Sequence, residues 1–163
     1  SQTVLAALLA VERVRTPAIL LSAQFRGGPE LAGVTFEKEG TLGDELTVRY
    51  HWRLLNNVDL ENLEVRVRFR RGDETVFHDE HPFPMAARSI QKEWDEWIEE
   101  RRVRVPATVA AGEVKMVIEM ARTDGKSRRL EVSSPYQEGK RAVAVPEPIR
   151  LVRRAEETSE GTR

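Results

Sequence analysis

The chain has 163 residues, enough for one domain that buries its own core, and its 40% hydrophobic and 33% charged residues describe a globular protein with a heavily charged surface. Its 26 basic and 27 acidic residues leave a formal net charge of −1, which excludes a global field that would draw nucleic acid or an anionic membrane. The absence of cysteine excludes a disulfide framework, a thiolate zinc site and a cysteine nucleophile, and leaves the compartment open.

The N-terminus carries the apolar run from Val4 to Val11, followed by Glu12, Arg13 and Arg15. The run is far shorter than the roughly 20 apolar residues that span a bilayer, and no basic region precedes it as in a secretory signal. Two readings stand. Residues 1–17 are either the end of a longer anchor emerging into water, or an amphipathic helix whose Val4, Leu8 and Val11 stripe packs on the domain or a partner.

From residue 18 the hydrophobic period is two. Strands are expected at Ile19 to Phe25 and Leu31 to Glu37, then at Leu46 to Leu54, where Leu46, Val48, Tyr50, Trp52 and Leu54 alternate with Thr47, Arg49, His51 and Arg53. Leu63, Val65, Val67 and Phe69 alternate as clearly with Glu64, Arg66, Arg68 and Arg70. Arg71-Gly72-Asp73 then turns the chain into Thr75-Val76-Phe77. The polar stretch His78-Asp79-Glu80-His81 reads as a loop before Pro82 and Pro84, and Ala86 to Glu100 is the one place for a helical turn or two. Further strands are expected at Arg102 to Val105, Val114 to Arg122, Arg129 to Ser133, Ala142 to Val145 and Ile149 to Val152. Gly27-Gly28-Pro29, Gly40 to Asp44, Ala111-Gly112 and Asp124-Gly125-Lys126 supply the reversals. The expected fold is therefore all-β, an antiparallel β-sandwich of jelly-roll or immunoglobulin-like type over residues 18–152, with a mobile charged tail over 153–163.

The order Leu31 to Val34, Leu42-Gly43-Asp44-Glu45-Leu46-Thr47-Val48 and Tyr50-His51-Trp52-Arg53 is followed by the Arg71-Gly72-Asp73 hairpin and Glu80-His81-Pro82. Trp94, Val105-Pro106 and Gly112-Glu113-Val114 complete it. This succession resembles the extracytoplasmic β-sandwich accessory domains attached to prokaryotic membrane glycosyltransferase-like proteins. The resemblance implies an accessory role outside the cytoplasm, beside a membrane protein, with glycan as a further ligand class.

Arg49, Arg53, Arg66, Arg68 and Arg70 point to the wet sides of two successive strands. If those strands were neighbours, the guanidinium forks would form a stripe suited to carboxylate, sulfate or phosphate. The plainer reading is a solvated face neutralised by Glu45, Glu61, Glu64 or Glu119. Trp94 and Trp97 stand beside Glu93, Asp95, Glu96, Glu99 and Glu100, a grouping that suits a sugar platform or a protein interface, although core packing of one indole is the simpler expectation. His78 and His81 with Asp79 and Glu80 would need His51 or other distant ligands to hold a metal, so a structural turn is preferred and no metal is expected. A glycosidase carboxylate pair would have to come from Asp95, Glu96, Glu99 and Glu100, but the sequence fixes no separation. There is no nucleophile elbow, phosphate-binding glycine loop or zinc-protease helix, so neither a cofactor nor an enzyme activity is expected. The arginines also lack the interleaved aromatics of a nucleic-acid binder. The functional expectation is a non-catalytic accessory or interaction subunit of a membrane-associated, extracytoplasmic assembly, whose partner is a membrane protein or larger complex. The alternative is a carbohydrate-binding module of an envelope glycan system.

Overall fold

Alternating apolar residues build two facing sheets. The computed structural model describes residues 16–54, 58–83 and 96–155, and among these the chain is strand, turn and coil without helix. In chain order the strands are β1 (Ile19–Phe25), β2 (Glu30–Phe36), β3 (Glu39–Thr41), β4 (Glu45–Arg53), β5 (Leu63–Arg71), β6 (Glu74–Pro82) and β7 (Glu96–Arg104). They continue with β8 (Gly112–Arg122), β9 (Arg128–Arg129), β10 (Val132–Ser133), β11 (Gln137–Glu138), β12 (Ala142–Ala144) and β13 (Ile149–Val152). The N-terminal segment read as anchor or helix falls outside the described residues up to residue 15, and the expected mobile tail does so from residue 156.

One sheet, here sheet 1, runs β10-β1-β2-β4-β7. Sheet 2 is centred on the long strand β8, with β5 along one edge and β13, β12 and β9 taking successive stretches of the other. Strand β6 lies outside β5, β11 outside β12, and β3 joins β13 in a parallel pair within an otherwise antiparallel arrangement. The core is the space between the sheets. Leu21, Phe25, Leu31, Val48, Tyr50 and Trp52 fill it from sheet 1, and Val65, Val67, Phe69, Met116, Ile118 and Met120 from sheet 2. Phe69 and Phe77 stack across β5 and β6 with ring centroids 4.2 Å apart, while Trp52 meets Phe83 edge-on at 5.1 Å. Such pairs add about 0.5–1.5 kcal/mol beyond area burial.

The sandwich fold expected from period-two alternation is the observed one, with two corrections to its elements. His78 to His81 is not a loop but part of β6, and the stretch offered as helical is strand β7 from Glu96 onward. In both, the inward positions carry charge or aromatic groups, so alternation is present in the structure but is not an apolar alternation.

Sheet 1 has one close backbone approach that fixes how the chain enters the domain. Gly33 pairs with Leu20 on one side and with His51 on the other. A Cβ there would lie 2.3 Å from the Ile19 carbonyl oxygen and 2.6 Å from Pro17 Cβ. Only glycine admits this packing. Gly33→Ala should therefore destabilise the fold by about 1–3 kcal/mol through overpacking, read as a lower urea midpoint at unchanged m-value.

Candidate functional site

The chemistry-bearing side chains converge where the two sheets meet at one edge of the sandwich. Strand β6 pairs only with β5, and β7 only with β4, so each is an edge strand among the described residues. Their inward side chains meet across the gap in three successive rungs. Asp79 of β6 receives a two-pronged bond from Arg101 of β7, with Nη2 2.8 Å and Nε 3.1 Å from its oxygens. His81 Nε2 lies 3.0 Å from Glu99 Oε2. Phe83, just past β6, packs on Trp97 with centroids 6.4 Å apart. Partners descend β7 as they ascend β6, so the edges face each other antiparallel, joined by side chains.

The local sequence explains the arrangement. On β5 the apolar residues Val65 and Val67 stand opposite His81 and Asp79, which turns both polar residues to the core side. On β4, Tyr50 and Trp52 stand opposite Glu99 and Trp97. Glu99 is 4% exposed and His81 5%, so this is a buried network rather than a surface pair. Its members share partners. Glu99 accepts a bond from Trp52 Nε1 at 3.1 Å on its other oxygen, and His81 Nδ1 lies 3.2 Å from Asp79 Oδ2. Both imidazole contacts are ion-pair approaches rather than aligned hydrogen bonds, and the Tyr50 hydroxyl is buried without a hydrogen-bond partner.

Charges follow the geometry. Burial opposes ionisation of Asp79, but His81 and Arg101 outweigh it and hold the carboxyl far below its ordinary value. Burial likewise disfavours charge on His81, and its two carboxylate neighbours outweigh that, raising the imidazole above its usual value. Burial, reinforced by the charges of Asp79 and Glu99, raises the Tyr50 phenol well above 10.0 and keeps it neutral. The two imidazole nitrogens face different carboxylates, as in an ion-pair relay between sheets. Among the described residues no cluster of histidine and carboxylate groups could hold a metal ion.

The five arginines singled out in the sequence do not form one stripe. Strand β4 belongs to sheet 1 and β5 to sheet 2, so Arg49 and Arg53 lie on one outer face of the sandwich and Arg66, Arg68 and Arg70 on the other. Each has an acidic neighbour. Arg49 bonds Glu100 at 3.1 Å, and Arg53 sits between Glu30 and Glu96 at 3.8 and 3.5 Å. Arg66 bonds Glu64 at 2.7 Å, Arg68 approaches buried Glu119 at 3.4 Å, and Arg70 grips Glu138 with both terminal nitrogens. Glu64 and Glu119 are among the acids expected as neutralising partners. The more exposed of these pairs, Arg49 with Glu100 and Arg53 with Glu96, contribute about 0–1 kcal/mol each.

Trp97 is half-buried in the third rung, against Phe83 and the core, while Trp94 lies outside the described residues. The Asp79, His81, Glu99 and Arg101 network was not anticipated as a site. Its available signal was the pair of acid and imidazole two residues apart in a stretch followed by Pro82. Among the described residues no helix is long and apolar enough to cross a membrane. Comparison of the chain with protein-family models and with curated proteins finds no match.

The network makes a quantitative prediction. Glu99→Leu leaves both Trp52 Nε1 and a charged His81 without their acceptor and should cost about 3–5 kcal/mol. Adding His81→Leu removes the stranded cation, so the double variant should recover about 1 kcal/mol or more of that loss. Urea denaturation of the two single variants and the double variant measures the coupling, and strict additivity would remove the pairing assigned to His81 and Glu99.

Proposed function

We propose that this protein is a non-catalytic accessory or interaction subunit of a membrane-associated assembly outside the cytoplasm, docking through its N-terminal segment and the adjoining outer face of sheet 1. One observation carries the reading: the chain enters the domain beside an exposed apolar side chain on an otherwise charged face. The backbone N–H of Ala18 donates to Thr35 Oγ1 at 3.0 Å, Pro17 lies against Gly33, and Leu20 is 65% exposed. Leu20, Gly33, His51 and Ile98 are consecutive partners across β1, β2, β4 and β7, forming one row on that face. The rows beside it are charged, Arg49 with Glu100 on one side and Glu30, Arg53 and Glu96 on the other.

An apolar centre with a polar rim is the anatomy of a protein interface. A partner that receives the run from Val4 to Val11 would meet this row next, because only residues 12–15 separate that run from Thr16, where the described domain begins. The paired state of the acidic and basic groups also favours binding over chemistry: His81 and Glu99 are enclosed, and the outer arginines are engaged. The resemblance to accessory domains of membrane glycosyltransferase-like proteins supports the choice of a membrane protein as partner. It also supplies the rival reading, glycan binding, for which Trp97 is placed less favourably than a bare platform because part of its ring rests on Phe83.

The test is recovery from native membranes in mild detergent, using the tagged full-length chain and charged substitutions in each half of the proposed surface. A membrane protein should be retained stoichiometrically by the unaltered chain. Leu8→Asp and Leu20→Asp should each lower retention about tenfold, the equivalent of about 1.4 kcal/mol. Unchanged retention by both variants would remove the proposed surface, and recovery of the chain alone together with oligosaccharide-dependent tryptophan fluorescence would replace the proposal with glycan binding.

A further inference from the structure

The charged rungs between β6 and β7 form a closed balance that depends on one proton. Asp79 and Glu99 contribute two negative charges, and Arg101 and a protonated His81 contribute two positive ones. Among the described residues, the groups around the imidazole include Asp79 on its own strand, Glu99 and Arg101 on β7, Tyr50 on β4, and apolar Val65 opposite it on β5. Tyr50 remains neutral and supplies no compensating charge.

A charged imidazole carries two N–H groups, one toward each carboxylate. A neutral imidazole keeps only one, so a lone pair must then face either Asp79 or Glu99. The same step leaves an uncompensated negative charge beside the buried Glu99 and His81 side chains, which is costly. The remaining ties between the edges would be Arg101 with Asp79, where the Arg101 side chain is 35% exposed, and the Phe83–Trp97 contact.

We infer that His81 is a proton-operated latch: while charged it ties the β6 edge of sheet 2 to the β7 edge of sheet 1, and loss of its proton lets these two edges fray ahead of the rest of the sandwich. The direction in pH follows from the neighbours. A histidine raised in the folded state contributes stability that is fully present below about pH 6.5, its unfolded value, and is lost as pH rises through the folded value. Asp79 acts oppositely, since a depressed carboxyl contributes stability above about pH 3.8 that is lost only as pH falls through its folded value. The alkaline arm therefore belongs to His81.

Two measurements on the unaltered chain test the latch, so it does not depend on a variant that folds. In a nuclear magnetic resonance titration, the His81 ring should lose its proton above the ordinary imidazole value of about 6.5. Amide protection factors, corrected for intrinsic exchange, should fall about tenfold in β6 and β7 across the His81 midpoint while those of β1, β2 and β8 change by less than about twofold. His81→Gln, where it folds, should lose this pH dependence. A His81 midpoint at or below the ordinary imidazole value of about 6.5, or protection in β6 and β7 that is unchanged or falls no more than in β1, β2 and β8, would overturn the inference.

Discussion

A β-sandwich has to close the sides where its sheets end, and here one side is closed by side chains from strands that share no backbone bonds. Asp79 with Arg101, His81 with Glu99, and Phe83 with Trp97 span the gap between β6 and β7. An edge strand is otherwise a row of free donors and acceptors that another chain can extend. Charges that point inward from such an edge work against that, because a strand slipped by one residue would carry them to the wrong face. Buried ion pairs gain little net stability against hydrophobic substitutes.

That closure places demands on both sheets at once. His81 meets Glu99 only if β6 holds its register on β5, with His81 opposite Val65, and β7 holds its register on β4, with Glu99 opposite Tyr50. Outside the sandwich the charges resolve locally. Arg49, Arg53 and Arg68 find acids on adjoining strands, Arg66 finds Glu64 on its own strand and Arg70 finds Glu138 on β11, so the charges of both outer faces are paired. A face that is electrically quiet and carries one exposed leucine beside the entering chain is better suited to a packed contact than to long-range steering.

The sequence disclosed what depends on local alternation. Strand β1 and strand β13 fall at their expected limits, because Ile19, Leu21, Ala23 and Phe25, and later Ile149 and Leu151, face the core without exception. It concealed what depends on a partner in the other sheet. In β6 the inward positions are Phe77, Asp79 and His81, and in β7 they are Trp97, Glu99, Arg101 and Val103, so neither strand reads as apolar alternation. Each polar set becomes explicable only when the other is opposite it, and nothing in either stretch names its complement. The arginine stripe failed for a related reason. Successive strands commonly pair, but β4 and β5 are assigned to different sheets, which local patterning does not decide.

The same topology bounds what a change of charge at His81 can do. Strand β7 remains registered on β4 along its whole length, and β6 on β5, so neutralising the imidazole breaks no backbone bond directly. What it removes is the brace on strands that are hydrogen-bonded on one side only. Such strands open by fraying from the edge inward, and the free energy of that motion is set by how well their side chains are held. Because alternate residues of one strand face opposite ways, Glu99 in the brace and Ile98 in the outer row are consecutive on β7. A displacement of that strand would move side chains on both sides of sheet 1.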